Sequence, residues 1–226
     1  SQSVTSNLTY YQVKDNITIN YYNRAGNVET TESYLAGETI TSKAIPSGAS
    51  GWSTSSTSSN IVTPATHIGS TAGTYNFYPW YSFDVVYHYN GTTHTETVGG
   101  SNIPTGHSAT NVIGWASSQT STTPVVMSSY RNSTSDVHLY AIYQYTATFT
   151  WHGGSSSDVQ KSAYTPNSVT FTLPPNPAGY TESGRQYEFD YWNVNGSRVY
   201  GSTSTASGNV TIEAVYKDVT PPPPSE

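Results

Sequence analysis

The sequence predicts a mainly β protein, α+β at most, that is organised as a tandem array. Polar and apolar residues alternate in the segment Val210–Lys217 with the period of two that is typical of a half-buried strand. This segment aligns without gaps with two earlier ones, Val137–Gln144 and Tyr75–Ser82. A tryptophan precedes each copy: Trp52, Trp115 and Trp192.

The alternation also predicts which side chains of the three closing segments face a core. In the last copy these are Val210, Ile212, Ala214 and Tyr216. In the middle copy they are Val137, Leu139, Ala141 and Tyr143, and in the first copy Tyr75, Phe77, Pro79 and Tyr81. The three tryptophans recur with the segments, so we expect them to belong to the core as well.

We expect a leader strand or the end of a preceding repeat, then three repeats and a Pro-rich linker, at 1–16, 17–82, 83–145, 146–218 and 219–226. The Asn90-Gly91 pair predicts a hairpin turn in the second repeat. In the first repeat, Glu29–Ile45 fits either a short helix or a strand, and Ser47–Asn60 is predicted to be a loop that contains Trp52.

The junctions between repeats are expected to lack linkers. Tyr81 precedes Gly91, and Tyr143 precedes Gly153, by the same ten residues, so each closing strand should run directly into the next opening strand. Such short connections restrict rotation between domains. The sequence therefore predicts an elongated array, and we expect it to be a segment of a longer protein.

The composition is typical of an extracellular β protein. Only 10% of the 226 residues are charged, tyrosine occurs 20 times, and there is no cysteine. The chain therefore has no disulfide framework, thiolate chemistry or cysteine zinc site. A net charge of −6 with eight basic residues argues against nucleic acid and anionic membrane surfaces as partners.

The repeat resembles the Listeria–Bacteroides repeat, also called the internalin B-repeat. The residues that carry the resemblance are Thr148–Gly154, Tyr187–Trp192 and Asn209–Lys217 in the third repeat, and His88–Gly91, Ile113–Trp115 and Val137–Tyr143 in the second. The first repeat departs from the pattern, because Asn23–Gly26 replaces the Gly-Gly turn and Pro79 stands where the family usually has alanine.

This resemblance implies ubiquitin-like β-grasp modules, each with a small mixed sheet and one short helix or irregular crossover on one face. It also implies a role in bacterial surface proteins as a stalk or an adhesive segment. Mucin-binding repeats are similar in size and architecture and are the nearest competing assignment.

Motifs for catalysis or metal binding are not found in the sequence. The six histidines, at His67, His88, His94, His107, His138 and His152, lack the spacing of metal ligands, and His88 and His152 are expected to face solvent. Glu188 and Asp190 form a carboxylate pair that the other repeats lack, so a solvated strand face is the favoured interpretation. We therefore expect no enzymatic activity, no catalytic residue, no metal and no cofactor.

Aromatic residues are the candidates for ligand binding. Tyr78, Trp80 and Tyr140 fall on the outer face of equivalent closing strands, where exposed rings can stack on sugars or anchor a protein partner. The alternative is that these rings pack under an interdomain contact or a crossing helix. Both interpretations remain open on the sequence.

The functional expectation is a monomeric, non-enzymatic repeat region of a bacterial cell-surface protein, attached to the cell wall or secreted. It would act as a stalk, a spacer or an adhesin segment. One alternative is a carbohydrate- or mucin-binding module, and another is an accessory segment of a secreted glycosidase. A host glycan, a mucin or a matrix protein is the expected kind of partner, with no nucleic acid and no membrane insertion.

Overall fold

The computed structural model describes residues 16–222, which are mainly β, with 51% strand and 4% helix. The chain divides into two compact units. Among the described residues, the first comprises 16–85, 96–105 and 127–137, and the second comprises 86–95, 106–126 and 138–222. The leader strand expected at 1–16 lies outside the described residues except for Asn16, as do residues 223–226 of the expected Pro-rich linker.

The first unit has a five-stranded sheet in the order β2-β1-β5-β3-β4. Its elements are β1 (Asn16–Tyr22), β2 (Val28–Leu35), β3 (Gly51–Ser53), β4 (Ile61–Val62), helix α1 (Pro64–Ile68) and β5 (Gly73–Trp80). The central strands β1 and β5 are parallel, whereas β2 and β3 pair with them antiparallel from either side. The 3-10 helix Met127–Tyr130 also belongs to this unit.

The core of the first unit lies on one face of this sheet. Its buried residues are Ile17, Ile19, Tyr21, Ile40, Trp52, Ile68 and Phe77. Trp52 packs against Tyr21, with ring centroids 4.9 Å apart, and its Nε1 donates a hydrogen bond of 3.0 Å to the carbonyl of Lys43. Trp52 lies in strand β3, so the prediction of a loop at this position was wrong. The segment left open between helix and strand contains strand β2.

The second unit contains most of a nine-stranded sheet in the order β12-β13-β16-β9-β6-β7. The strands are β6 (Ser82–Tyr89), β7 (Thr92–Gly99), β8 (Val112–Ala116), β9 (Val137–Trp151), β10 (Gly154–Ser162), β12 (Tyr180–Glu182), β13 (Arg185–Val194), β14 (Ser197–Val199) and β16 (Val210–Asp218). β8 and β10 both pair with β9, and β14 pairs with β13. A separate two-stranded sheet joins β11 (Val169–Thr172) to β15 (Thr203–Ala206).

Strand β9 is continuous over 15 residues. Its first half pairs antiparallel with β8, and its second half pairs antiparallel with β10 and parallel with β16. The residues Val137–Tyr143 therefore run without a linker into the strand that follows them. At this junction one strand continues directly into the next, as predicted, whereas at the other junction Tyr81 separates β5 from β6.

The predicted alternation in the closing strands is confirmed in part. Leu139, Ala141 and Tyr143 are buried, and so are Phe77 and Pro79 in β5 and Val210 and Ile212 in β16. The other predicted core positions are half-buried: Tyr75, Tyr81, Val137, Ala214 and Tyr216. Ile142, which lies between two predicted core positions, is also buried. The hairpin between β6 and β7 turns at Asn90 and Gly91, whose positive φ values of 47° and 73° are those that a type I′ turn requires.

Candidate functional site

The three tryptophans that recur in the sequence are buried, at 2% to 5% exposure. Trp115 packs on Tyr87 with ring centroids 4.7 Å apart, and its Nε1 donates to the carbonyl of His107 at 3.0 Å, as Trp52 Nε1 does to Lys43. The Trp192 and Phe149 ring centroids are 6.0 Å apart. The buried Nε1 of Trp192 has no hydrogen-bond partner among residues 16–222. These rings form cores and do not offer a binding surface.

Tyr78 and Trp80 occupy the outer face of β5, two residues apart, and both are half-buried. Tyr78 stacks on Tyr22 with centroids 4.3 Å apart, and burial together with its hydrogen bond to Tyr22 raises the pKa of the Tyr78 hydroxyl. The Trp80 ring lies against Gly99 and Gly100, where a Cβ on either glycine would overlap it. One face of each ring is therefore already in contact with protein.

Tyr140, in the second unit, is also stacked on a neighbouring ring. Its ring stacks on His88 with centroids 4.7 Å apart and an interplanar angle of 17°, and Tyr164 lies 5.6 Å away. The stack of His88 on Tyr140 resembles the stack of Tyr22 on Tyr78 in the first unit. Tyr22 and His88 are equivalent, because each directly follows a buried tyrosine, Tyr21 or Tyr87. The structure thus places two of the predicted residues on one strand of the first unit and the third in the second unit.

A histidine pair beside Tyr140 was missed by the sequence reasoning. Nε2 of His88 lies 3.0 Å from Nδ1 of His138, and His88 is half-buried where solvent exposure had been expected. Burial, and secondly the proximity of His138, lower the pKa of His88 below its usual value of 6.5. The signal that could have found the pair is strand register, because both histidines belong to strands that lie side by side in the sheet.

The first unit has a cleft of about 280 Å³, which we call the arginine cleft. Its lining residues are Tyr22, Asn23, Arg24, Ala25, Gly26, Ser56, Tyr78, Pro79, Tyr81, Gly100, Ser101, Arg131 and Asn132. The lining comes from the turn after β1, the end of β5 and the segments 100–101 and 131–132. Of the three predicted ligand-binding residues, Tyr78 is part of this lining.

Two arginines give the arginine cleft its charge. Arg24 lies over the Tyr81 ring, with Cζ 4.3 Å from the centroid, and Nη2 donates a hydrogen bond to the carbonyl of Ser133. The buried Nε of Arg24 has no acceptor within the described part of the chain. An unsatisfied buried donor costs about 1–3 kcal/mol, and the Nη2 bond to Ser133 and the contact with Tyr81 hold the side chain in place despite this cost.

Arg131 is exposed, and within residues 16–222 neither Arg131 nor Arg24 takes part in an ion pair. None of the residues that line the cleft is acidic. The other two arginines of the protein are engaged elsewhere, Arg185 with the Asp218 carboxylate at 2.9 Å and Arg198 over the Tyr191 ring at 4.4 Å. The cleft is therefore a cationic site in a protein of net charge −6.

The described residues contain no group of three or more His, Asp or Glu side chains that is placed to hold a metal ion. Of the acidic pair in β13, Glu188 is exposed and lies 4.0 Å from the Lys217 ammonium, and Asp190 is half-buried. Within 16–222, no helix has the length and apolar character that crossing a membrane would require.

Comparison with known proteins gives no family assignment: no protein-family model matches the sequence, and no curated protein matches it significantly.

Proposed function

We propose that this chain is a non-enzymatic repeat region of a bacterial cell-surface protein that acts as a stalk or spacer, or as an adhesin segment, and that it is built from three tandem β-grasp modules. The sheet order supports the modules. β2-β1-β5-β3 and β10-β9-β16-β13 each place a parallel central pair between two antiparallel strands. For the middle module, β8 and β6 both neighbour the long strand β9, and β8 pairs with its first half.

A second recurrence supports the same interpretation. The Tyr143 hydroxyl accepts a hydrogen bond from the turn residue Asn90, and the Tyr216 hydroxyl accepts one from the turn residue His152. In the first unit, Tyr81 instead contacts the turn through Arg24. Each closing-strand tyrosine therefore holds the turn that follows its module's opening strand, which is expected if one module is repeated.

The observation that carries the spacer function is the continuity of β9. One strand supplies the closing pairings with β8 and the opening pairings with β10 and β16, so no flexible residues separate the two sets. Repeat proteins in which neighbours share structure in this way behave as quasi-one-dimensional arrays. A junction without a hinge helps to hold a neighbouring domain at a distance from a surface.

Small-angle X-ray scattering of the full chain tests the spacer function. A compact domain of 226 residues has a radius of gyration of about 17 Å. We expect a clearly larger value, and a distance distribution with the extended tail of a rod. A value near 17 Å for the monomer would contradict the spacer proposal, and the same samples would show whether the protein is monomeric.

A further inference from the structure

The arginine cleft combines features that point to one kind of ligand. Arg24 and Arg131 line it without an acidic neighbour in the lining, although the protein as a whole carries an excess of acidic residues. Unpaired guanidinium groups in a concave site favour a carboxylate, because their planar fork can donate two parallel hydrogen bonds to its oxygens. The ligand should therefore carry a carboxylate.

The remaining wall of the cleft favours a ligand rich in hydroxyl groups. Tyr22 and Tyr78 are stacked on each other, and Arg24 covers a face of Tyr81, so these residues present ring edges and hydroxyls more than free faces. Ser56, Ser101 and the amides of Asn23 and Asn132 add further donors and acceptors. An apolar anchor would find few partners in this lining, whereas a polyol would find many.

The size of the cleft limits the ligand further. Its volume of about 280 Å³ lies at the lower end of the range for small-molecule sites. This space suits a single ring with its substituents better than an extended chain. The chain segments 100–101 and 131–132 also contribute to its lining, and Gly100 N–H donates a hydrogen bond of 2.7 Å to the Tyr81 carbonyl.

We propose that the arginine cleft binds a saccharide ring that carries a carboxylate. Arg131 holds the carboxylate from the solvent side, and Arg24, kept in place by Tyr81 and the Ser133 carbonyl, adds a second positive charge to the cleft. The tyrosine and serine hydroxyls then exchange hydrogen bonds with the hydroxyls of the ring. This inference does not depend on the spacer function, and either one can fail while the other stands.

The test uses matched glycosides and two-dimensional NMR of the full chain. The acidic probes are the methyl glycosides of glucuronic, galacturonic and N-acetylneuraminic acids. Methyl glucoside and methyl galactoside, which replace the carboxylate of the two uronic acids by a hydroxymethyl group, are the neutral controls. We expect saturable shifts at residues of the cleft with at least one acidic probe, affinity at least tenfold weaker for its neutral counterpart, and weakening at high salt.

Variants locate the site. Arg131→Gln should reduce the affinity at least tenfold, and Arg131→Lys should retain part of it because it keeps the charge and loses the fork. Arg185→Gln removes an arginine from a surface ion pair outside the cleft and should bind like the unchanged protein. Arg131 is exposed, so its variants are expected to keep the unchanged spectrum elsewhere.

Three outcomes would overturn the proposal. One is the absence of shifts with all three acidic probes in a folded sample. Another is equal affinity for the acidic and neutral glycosides, since the arginines would then contribute nothing. The third is binding that Arg131→Gln leaves unchanged.

Discussion

The hydroxyl of Tyr143 accepts a hydrogen bond of 2.8 Å from the backbone N–H of Asn90, across 53 residues of sequence. Asn90 is the first residue of the turn between β6 and β7, and Tyr143 lies in β9 with 1% of its surface exposed. Burial raises the pKa of the Tyr143 hydroxyl, so it stays protonated at neutral pH. A buried side chain thus holds the end of a hairpin.

We predict that Tyr143→Phe loosens this turn at a modest cost in stability. The ring and its packing remain, but the hydrogen bond is lost, and the exposed Asn90 N–H can turn to water, so the cost should be about 0.5–1.5 kcal/mol. Hydrogen exchange at the Asn90 amide should become faster by more than the loss of global unfolding free energy explains. Exchange rates by NMR and urea denaturation measure the two quantities.

Tyr216→Phe provides the comparison for this prediction. The Tyr216 hydroxyl accepts from His152 N–H at 3.3 Å, which is a longer bond in an exposed setting. Its removal should change stability less than Tyr143→Phe does. Equal protection of the Asn90 amide in Tyr143→Phe and in the unchanged protein would show that the hydroxyl does not hold the turn.

Trp115 and Trp192 should respond differently to the same substitution. Trp115→Phe leaves the His107 carbonyl without the indole N–H that bonds it at 3.0 Å, whereas Trp192→Phe removes an N–H that has no partner within residues 16–222. We therefore predict that Trp115→Phe is the more destabilising of the two, by about 1–3 kcal/mol. Urea denaturation of both variants, followed by circular dichroism, gives the difference.

Both tryptophans are buried, and both substitutions remove a similar side-chain volume. Each variant therefore controls for the free energy that the other loses through reduced packing. A Trp192→Phe variant as destabilised as Trp115→Phe would contradict the assignment. It would mean that shape, and not the indole N–H, decides the cost at these positions.

Local alternation predicted part of the buried sets in the closing strands, because a half-buried strand determines its own pattern. Leu139 and Ala141 follow from their immediate neighbours, and the turn at Asn90 follows from a dipeptide. The strand β3 at Trp52 was missed because it spans three residues in a Ser- and Gly-rich segment, which is too short to show alternation.

The surroundings of the candidate residues could not be predicted, because they depend on segments that are distant in sequence. Trp80 is covered by Gly99 and Gly100, and the position of these glycines is set by the path of β7. Arg131 reaches the arginine cleft through a segment with little regular structure. Alternation placed Tyr78 and Tyr140 on the outer face, but only the three-dimensional arrangement supplies their partners, Tyr22 and His88.

Gly100 is predicted to be intolerant of any side chain. Its φ is +60°, and a Cβ there would overlap the Ser56 carbonyl oxygen and the Trp80 ring. Gly100→Ala should therefore destabilise the first unit by about 2–4 kcal/mol, because backbone strain and overpacking add. Thermal and urea denaturation measure this cost.

Gly37 is the matched control, since its φ is +88° and nothing lies within 4 Å of an added Cβ. Gly37→Ala should cost about 1–2 kcal/mol from backbone strain alone. If the two alanine variants are equally stable, the close approach of Ser56 and Trp80 to Gly100 has no energetic consequence, and Trp80 becomes a better candidate for ligand binding.

The His88–His138 pair should make the stability of the second unit depend on pH. The pKa of His88 in the folded protein is lowered below 6.5, by burial first and by His138 second. Below about pH 6.5 the unfolded chain therefore binds more protons than the folded chain. The contribution of His88 is complete above pH 6.5 and is lost as the pH falls through the lower folded-state pKa.

His88→Tyr tests this dependence and keeps the packing, because it reproduces on Tyr140 the stack that Tyr22 makes on Tyr78. We expect the urea midpoint of the unchanged protein to decrease when the pH is lowered from 7.5 to 5.5. The urea midpoint of His88→Tyr should decrease less over the same range. His152→Tyr, the same change at an exposed histidine, should keep the full dependence. An NMR titration in which His88 has its midpoint at or above 6.5 would contradict the explanation, because the proton difference that drives the pH dependence would then be absent.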